Sequence, residues 1–101
     1  MQKVYDKASW HIDNGCDRSE TIKKFENVLS FLNDNSLLSD DGREIFGFGV
    51  DSSISITESM LNRSGNEFMT KYYDSVINES SAVIGEKLSV LYRQFREKLQ
   101  N

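Results

Sequence analysis

The segment Tyr5-Asp6-Lys7-Ala8-Ser9-Trp10-His11-Ile12-Asp13-Asn14-Gly15-Cys16 holds the only Trp, the only His and the only Cys of the chain. No clear amphipathic period runs through it, so residues 1–16 read as an irregular or partly helical lead-in. Trp10 lies close to the terminus and is expected to tie that terminus onto the core. Burying a ring of this kind removes about 150–250 Å² from water. Asp13-Asn14-Gly15 is turn chemistry, because Asn and Gly tolerate positive φ and Asp can bond its own backbone. A helix is therefore expected directly afterwards.

That helix is expected near 19–33, capped by Asp17 or Ser19, with Glu20 favoured in its first turn. Ile22, Phe25, Leu29 and Leu32 recur at spacings of three and four, flanked by Val28 and Phe31. Lys23, Lys24, Glu26 and Asn27 occupy the opposite side. Asn33-Asp34-Asn35-Ser36 ends the helix by offering competing hydrogen bonds. A shorter helix near 39–47 is capped by Ser39 or Asp40, with Leu37, Leu38, Ile45 and Phe46 as its buried side. Gly47 and Gly49 stop it early, since Gly costs about 1 kcal/mol in a helix interior.

Residues 50–57 alternate weakly, with Ile54 and Ile56 against Ser53, Ser55 and Thr57, and read as one short extended stretch. Met60 and Leu61 could pair with it, but a lone hairpin is marginal in water, so the stretch is expected to lie extended against the helices. Ser64-Gly65-Asn66-Glu67 fits a capping box and opens a helix near 65–77 carrying Phe68, Met69, Tyr72, Tyr73, Val76 and Ile77. A last helix near 81–99 carries the stripe Ile84, Leu88, Leu91, Phe95 and Leu99. The expected fold is mainly α: about four helices, an irregular N-terminal segment and a short extended stretch, in one domain over 1–101.

Composition narrows the function classes. A chain of 101 residues with 38% hydrophobic and 11% aromatic residues suits a small globular core. No run approaches the about 20 apolar residues of a membrane span. The single Cys and the lack of an apolar leader point to a reducing cytoplasm. The net charge of −4 is unevenly placed: residues 34–58 carry Asp34, Asp40, Asp41, Glu44, Asp51 and Glu58 against Arg43 alone. Such a surface repels a phosphate backbone and attracts basic partners, which argues against direct nucleic-acid binding.

No catalytic set stands out. His11, Asp13, Cys16 and Asp17 fall short of a zinc site, which uses four placed ligands with paired Cys and His, so no metal and no cofactor are expected. A Cys16–His11 nucleophile pair would need the base within reach and a third group to orient it; the bland alternative is a locally bonded His11 and a Cys16 packed as a small hydrophobe. The run from Asp51 lacks the Gly and Glu of a calcium loop, having Ile56 and Asn62 there. What remains is the acidic segment with its aromatics. It is either a solvated face or a docking surface in which acids steer a basic partner and an aromatic anchors it.

The opening YDKASWHIDNG and the later LNRSGNEFMTKYYDSVI resemble a family of small bacterial proteins that open with Tyr-Asp-Lys-Ala…Trp-His and carry a Gly…Phe…Tyr-Tyr-Asp helix. The likeness spans residues 4–78. Such families are similar to immunity proteins of contact-dependent or polymorphic toxin systems. The resemblance implies a cytoplasmic, non-enzymatic protein that binds and neutralises a cognate toxin domain, a nuclease among the candidates. Under this reading Asp40, Asp41, Glu44, Asp51 and Glu58 supply the charge and Phe48 the anchor, in a monomer or weak homodimer. The alternatives are a small structural or regulatory adaptor that self-associates through its last helix, and an enzyme using His11 and Cys16.

Overall fold

Two long helices, joined side by side, carry most of the core. In the computed structural model, which describes residues 2–99, these are α2 (Arg18–Asp34) and α5 (Ser81–Leu99). Between and around them lie β1 (Val4–Lys7), α1 (Ala8–Asp13), α3 (Asp40–Phe48), β2 (Ser55–Thr57) and α4 (Arg63–Tyr72). Short 3₁₀ turns come after β2 at Glu58–Met60 and after α4 at Tyr73–Ser75. The chain is mainly helical, as expected, with one two-stranded antiparallel sheet. Of the domain expected over 1–101, residues 1, 100 and 101 lie outside the described residues.

The α2 pattern folds as its spacing dictates. Phe25, Val28, Leu29, Phe31 and Leu32 are all buried, and the Asp17 side chain accepts from the Glu20 amide at 2.9 Å, closing the N-terminus. On α5, Ile84, Leu88 and Phe95 are buried and Leu91 packs against the core, while Leu99 is exposed beyond it. Phe68 of α4 fills the wedge between these helices and meets Tyr92 edge-on at 5.4 Å.

The N-terminal segment departs from expectation. Its helical part is Ala8–Asp13, but Val4–Lys7 is a strand paired antiparallel with Ser55–Thr57. The strand read at 50–57 thus shrinks to three residues, and its partner is β1, not Met60 and Leu61. Leu61 instead makes an isolated bridge with Leu38. Trp10 does not tie the terminus down; it is 46% exposed, with the Lys7 ammonium 5.6 Å from its ring centre. Tyr5 and Ala8 are buried in its place, and the Tyr5 hydroxyl donates to Asn66 Oδ1 at 2.7 Å. Cys16 is exposed, not packed.

Helix α4 starts two residues earlier than the capping-box reading. Asn62 is its cap, accepting from the Gly65 amide at 2.8 Å, which leaves Ser64 inside the first turn. The helix gives way at Tyr73 to a 3₁₀ turn and does not reach residue 77.

Two glycines are close-approach sites. A Cβ on Gly42 would run into the Met60 backbone carbonyl, and one on Gly65 into that of Leu37. They let α3 lie against the turn after β2 and α4 against the segment that leads into α3. Gly85 in α5 has nothing near its missing side chain. Gly42→Ala is therefore expected to destabilise the protein by about 1–3 kcal/mol through overpacking. Gly85→Ala should stabilise it by about 0.5–1 kcal/mol. Urea unfolding of both variants beside the parent checks the pair; equal midpoints would contradict the packing of α3 on Met60.

Candidate functional site

The candidate interface is built on α3. Ser39 caps it, accepting from the Gly42 amide at 3.1 Å and donating through its own hydroxyl to the Ser59 carbonyl at 2.7 Å. The Ser39 amide donates to the Met60 carbonyl at 2.9 Å. With Gly42 and Phe46 turned to the body, the helical period sends Asp40, Asp41, Glu44, Ile45 and Phe48 outward together. All five are exposed. Phe48 is 83% exposed and Ile45 37%, so Ile45 does not join Phe46 on the buried side as its sequence position had suggested.

The acidic groups are not equivalent. Asp40 is ion-paired with Arg43 one turn along. Asp41, Glu44 and Glu58 have no ion-pair partner among the described residues. Asp51 lies in the loop after α3, where its carboxylate accepts from the Ser53 hydroxyl at 2.5 Å and the Ser53 amide at 2.8 Å. Those bonds hold its carboxyl below the usual range.

A groove of about 440 Å³ brings Ile45, Phe48 and Asp51 together with Ile54, Ser55 and Thr57. Asp40, Asp41 and Glu44 lie outside its lining. Glu58 also stands beside it, while its neighbours Thr57 and Ser59 line the wall. The structure thus joins Phe48 and Asp51 in one depression, puts the α3 acids on the helix that forms one wall, and sets Glu58 at the end of the other.

A second polar assembly was missed from the sequence. Asp6 is fully buried (0% exposed). Its carboxylate accepts from the Tyr73 hydroxyl at 2.6 Å and the Lys7 amide at 2.9 Å, and it bonds His11 Nε2 at 2.8 and 2.9 Å. Burial, then the Asp6 charge, pushes the Tyr73 phenol above its ordinary value, so Tyr73 stays a donor. Lys24, expected on the outer side of α2, is buried too and donates to the Ile77 carbonyl. Burial lowers its pKa, with Asp6 pulling the other way.

Glu20, one turn before Lys24, accepts from the Ser81 amide at 2.7 Å and the Ser81 hydroxyl at 2.6 Å. It caps α5 from the neighbouring helix. Sequence position alone gave no signal for Asp6 or Lys24. For Tyr73, the adjacent Tyr72 carried an equal claim to the core.

These buried groups hold elements together. His11's side chain hydrogen-bonds to Asp6 alone among the described residues, and its ring packs edge-on to Phe25 at 5.8 Å. Cys16 is not bonded to that ring; its amide donates to the His11 carbonyl at 3.0 Å. Among the described residues no three His, Cys, Asp or Glu side chains gather as a metal-binding group. No helix among them is long and apolar enough to cross a membrane. Comparison of the chain with protein-family models, with curated proteins and with solved structures finds no match.

Both polar ties can be broken one side chain at a time. Tyr73→Phe leaves the Asp6 charge with one donor fewer in the interior and should cost about 1–3 kcal/mol; an unchanged urea midpoint would contradict the Asp6 hub. The Ser81 hydroxyl, then the Ser81 amide, holds the Glu20 carboxyl below its ordinary 4.5. A carboxyl lowered on folding adds stability above its unfolded pKa and loses it as pH falls through the folded value. Glu20→Gln should therefore flatten the loss of thermal stability on acidification below about 4.5. Identical pH profiles for parent and variant would refute the interhelical cap.

Proposed function

We propose that this chain is a stoichiometric protein inhibitor that docks through the outer face of α3, and that its target is a cognate bacterial toxin domain with a cationic surface. A nuclease, whose cleft is built to hold phosphates, is the toxin such a surface suits best. The reading places the chain in the cytoplasm as a monomer without catalytic activity. The likeness of the YDKASWHIDNG opening and the Tyr-Tyr-Asp helix to immunity proteins supports it.

The observation that carries it is Phe48, an aromatic ring 83% exposed beside Asp41 and Glu44 on one helical face. An interface uses a central aromatic as its anchor, and on this face the exposed Ile45 stands with Phe48. Carboxylates around it speed the encounter with a basic partner and keep acidic ones away.

The test is protection and binding against a toxin domain encoded beside this chain. Phe48→Ala should weaken the complex about 30-fold or more, as expected of an anchor worth about 2 kcal/mol. Glu44→Lys with Asp41→Lys should slow association about tenfold and weaken its salt dependence. Asp40 is left out of that test because Arg43 already pairs with it. Full affinity and protection in all variants would end this reading.

One observation favours self-association as a second reading. Val90 is 44% exposed on α5, at a groove shared with Val76, Val83 and Leu91. Leu91 also packs against the core, so Val90→Glu is the cleaner probe. Sedimentation of the parent as a dimer and of Val90→Glu as a monomer would support this reading; a monomeric parent removes it.

A further inference from the structure

We propose that the groove between α3 and β2 receives an extended, cationic segment of a partner protein, which adds main-chain hydrogen bonds along the open edge of β2. The proposal deepens the reading of α3 as an interface and rests on it: it names the part of the partner that seats in the groove.

Three features converge. The first is an open edge. Strand β2 pairs with β1 alone. The Ala8 amide donates to the Ile54 carbonyl at 3.0 Å, which makes that position a hydrogen-bonded pair. Ser55, opposite Lys7, is therefore in the alternate position, with its N–H and C=O turned away from β1. Neither group has a partner elsewhere among the described residues. An edge of this kind is a template for another strand.

The second feature is shape. Ile45 and Phe48 on the α3 side, with Ile54 at the start of the strand run, give the groove apolar surface next to that edge. Strand residues point alternately to two sides, so a chain lying along β2 can send every second side chain to this surface. Three residues of β2 span about 10 Å, which sets the contact at three to five residues of the partner.

The third feature is charge. Asp51 lines the groove, Asp41 shares the helical face of Ile45 and Phe48, and Glu58 comes directly after β2. Among the cations near the strand, the Arg18 guanidinium donates to the Ser52 hydroxyl at 2.8 Å and helps hold the Asp51 carboxyl low, the Lys7 ammonium lies over the Trp10 ring, and the Lys3 ammonium donates to Thr70 Oγ1 at 3.5 Å. Three carboxylates at and beside the groove select a segment with alternating basic and apolar residues over a neutral or acidic one.

The probe is a blocked peptide of sequence Arg-Val-Arg-Val-Arg, titrated into the isotope-labelled full chain at about 0.15 M salt, where the Debye length is about 8 Å. The peptide Glu-Val-Glu-Val-Glu serves as control. The proposal expects saturable shifts at Ile45, Phe48, Ser55 and Thr57, slowed amide exchange at Ser55, no response to the acidic peptide, and at least tenfold weaker binding to Phe48→Ala. Because that ring is almost wholly solvent-exposed, the variant keeps its fold, which the remaining amide spectrum verifies.

No binding, or diffuse shifts over all exposed carboxylates, overturns the proposal. So do groove shifts without slowed exchange at Ser55, which would mean a segment docked by side chains alone. If the peptide fails while Phe48→Ala still weakens the toxin complex, the α3 interface stands and only the strand-like occupant falls. If the peptide binds as described and no toxin is neutralised, the groove stands and the inhibitor reading falls.

Discussion

A carboxylate with no contact with water sets the terms for this structure. An ionised Asp in the interior carries a solvation penalty of several kcal/mol unless donors replace the water it lost. Asp6 has that replacement from three elements: its own strand through the Lys7 amide, α1 through His11, and the turn after α4 through Tyr73. None of these donors can be withdrawn cheaply, so the strand, the short helix and the turn are fixed relative to one another. The N-terminal segment is held by this polar hub and by Tyr5, and Trp10 is free to lie on the surface. Hydrophobic burial at Tyr5 and Ala8 adds to the docking but does not dictate its geometry, because burial is non-directional.

The same logic runs along α2. Glu20, Lys24 and Asn27 lie at successive turns and reach the segment that leads into α5: Glu20 to Ser81, Lys24 to the Ile77 carbonyl, and Asn27 to the Ser81 carbonyl at 2.8 Å. The start of a helix has amides with no intrahelical partner, and α5 begins where a carboxylate from its neighbour meets one of them. The apolar stripes of α2 and α5 make the pair stable, and the polar contacts settle where along α2 the second helix begins. Side-chain charge is thus used in two ways. Asp6, Glu20 and Lys24 serve internal ties, while Asp41, Glu44 and Glu58 are left to solvent.

Legibility from the sequence tracked periodicity. The stripe Phe25, Leu29, Leu32 and the stripe Ile84, Leu88, Phe95 gave the two long helices almost to the residue, and Asp17 and Ser39 were each one of two cap candidates, the others being Ser19 and Asp40. What failed were features that have no period. Four residues of β1 are too few to show alternation, and both Tyr5 and Asp6 are buried, so its reading as a strand depended on a partner about fifty residues away. Lys24 looked solvated because α2 is amphipathic, yet its ammonium found a carbonyl beyond the apolar face. Gly42 gave no sign of its closeness to Met60, because a glycine that permits close approach looks the same in sequence as one that ends a helix. At the candidate site, the acids at the start of α3 were legible as exposed, since polar side chains at a helix start rarely face inward; Phe48 was read as lying past the helix end and is instead its last residue. Ile45 was not legible as exposed: its neighbour Phe46 took the buried position one residue on. The groove belongs to the fold, because it exists only where α3 is carried alongside β2.

That placement decides how useful the α3 face can be. A helix of nine residues has little stability of its own in water, and a frayed helix would have to be ordered by any partner, at a cost taken from affinity. Here its first turn is bonded to Ser59 and Met60 by the Ser39 side chain and backbone. Gly42 lets the two backbones approach more closely than any larger residue would, and Gly49, at φ 101°, turns the chain away once Phe48 has been presented. Met60 is itself buried in the common core. The outward residues are therefore presented by a helix whose inner side is already ordered. The backbone that carries the ring and the two carboxylates has little further freedom to lose on contact, and only their rotamers are left to be ordered by a partner.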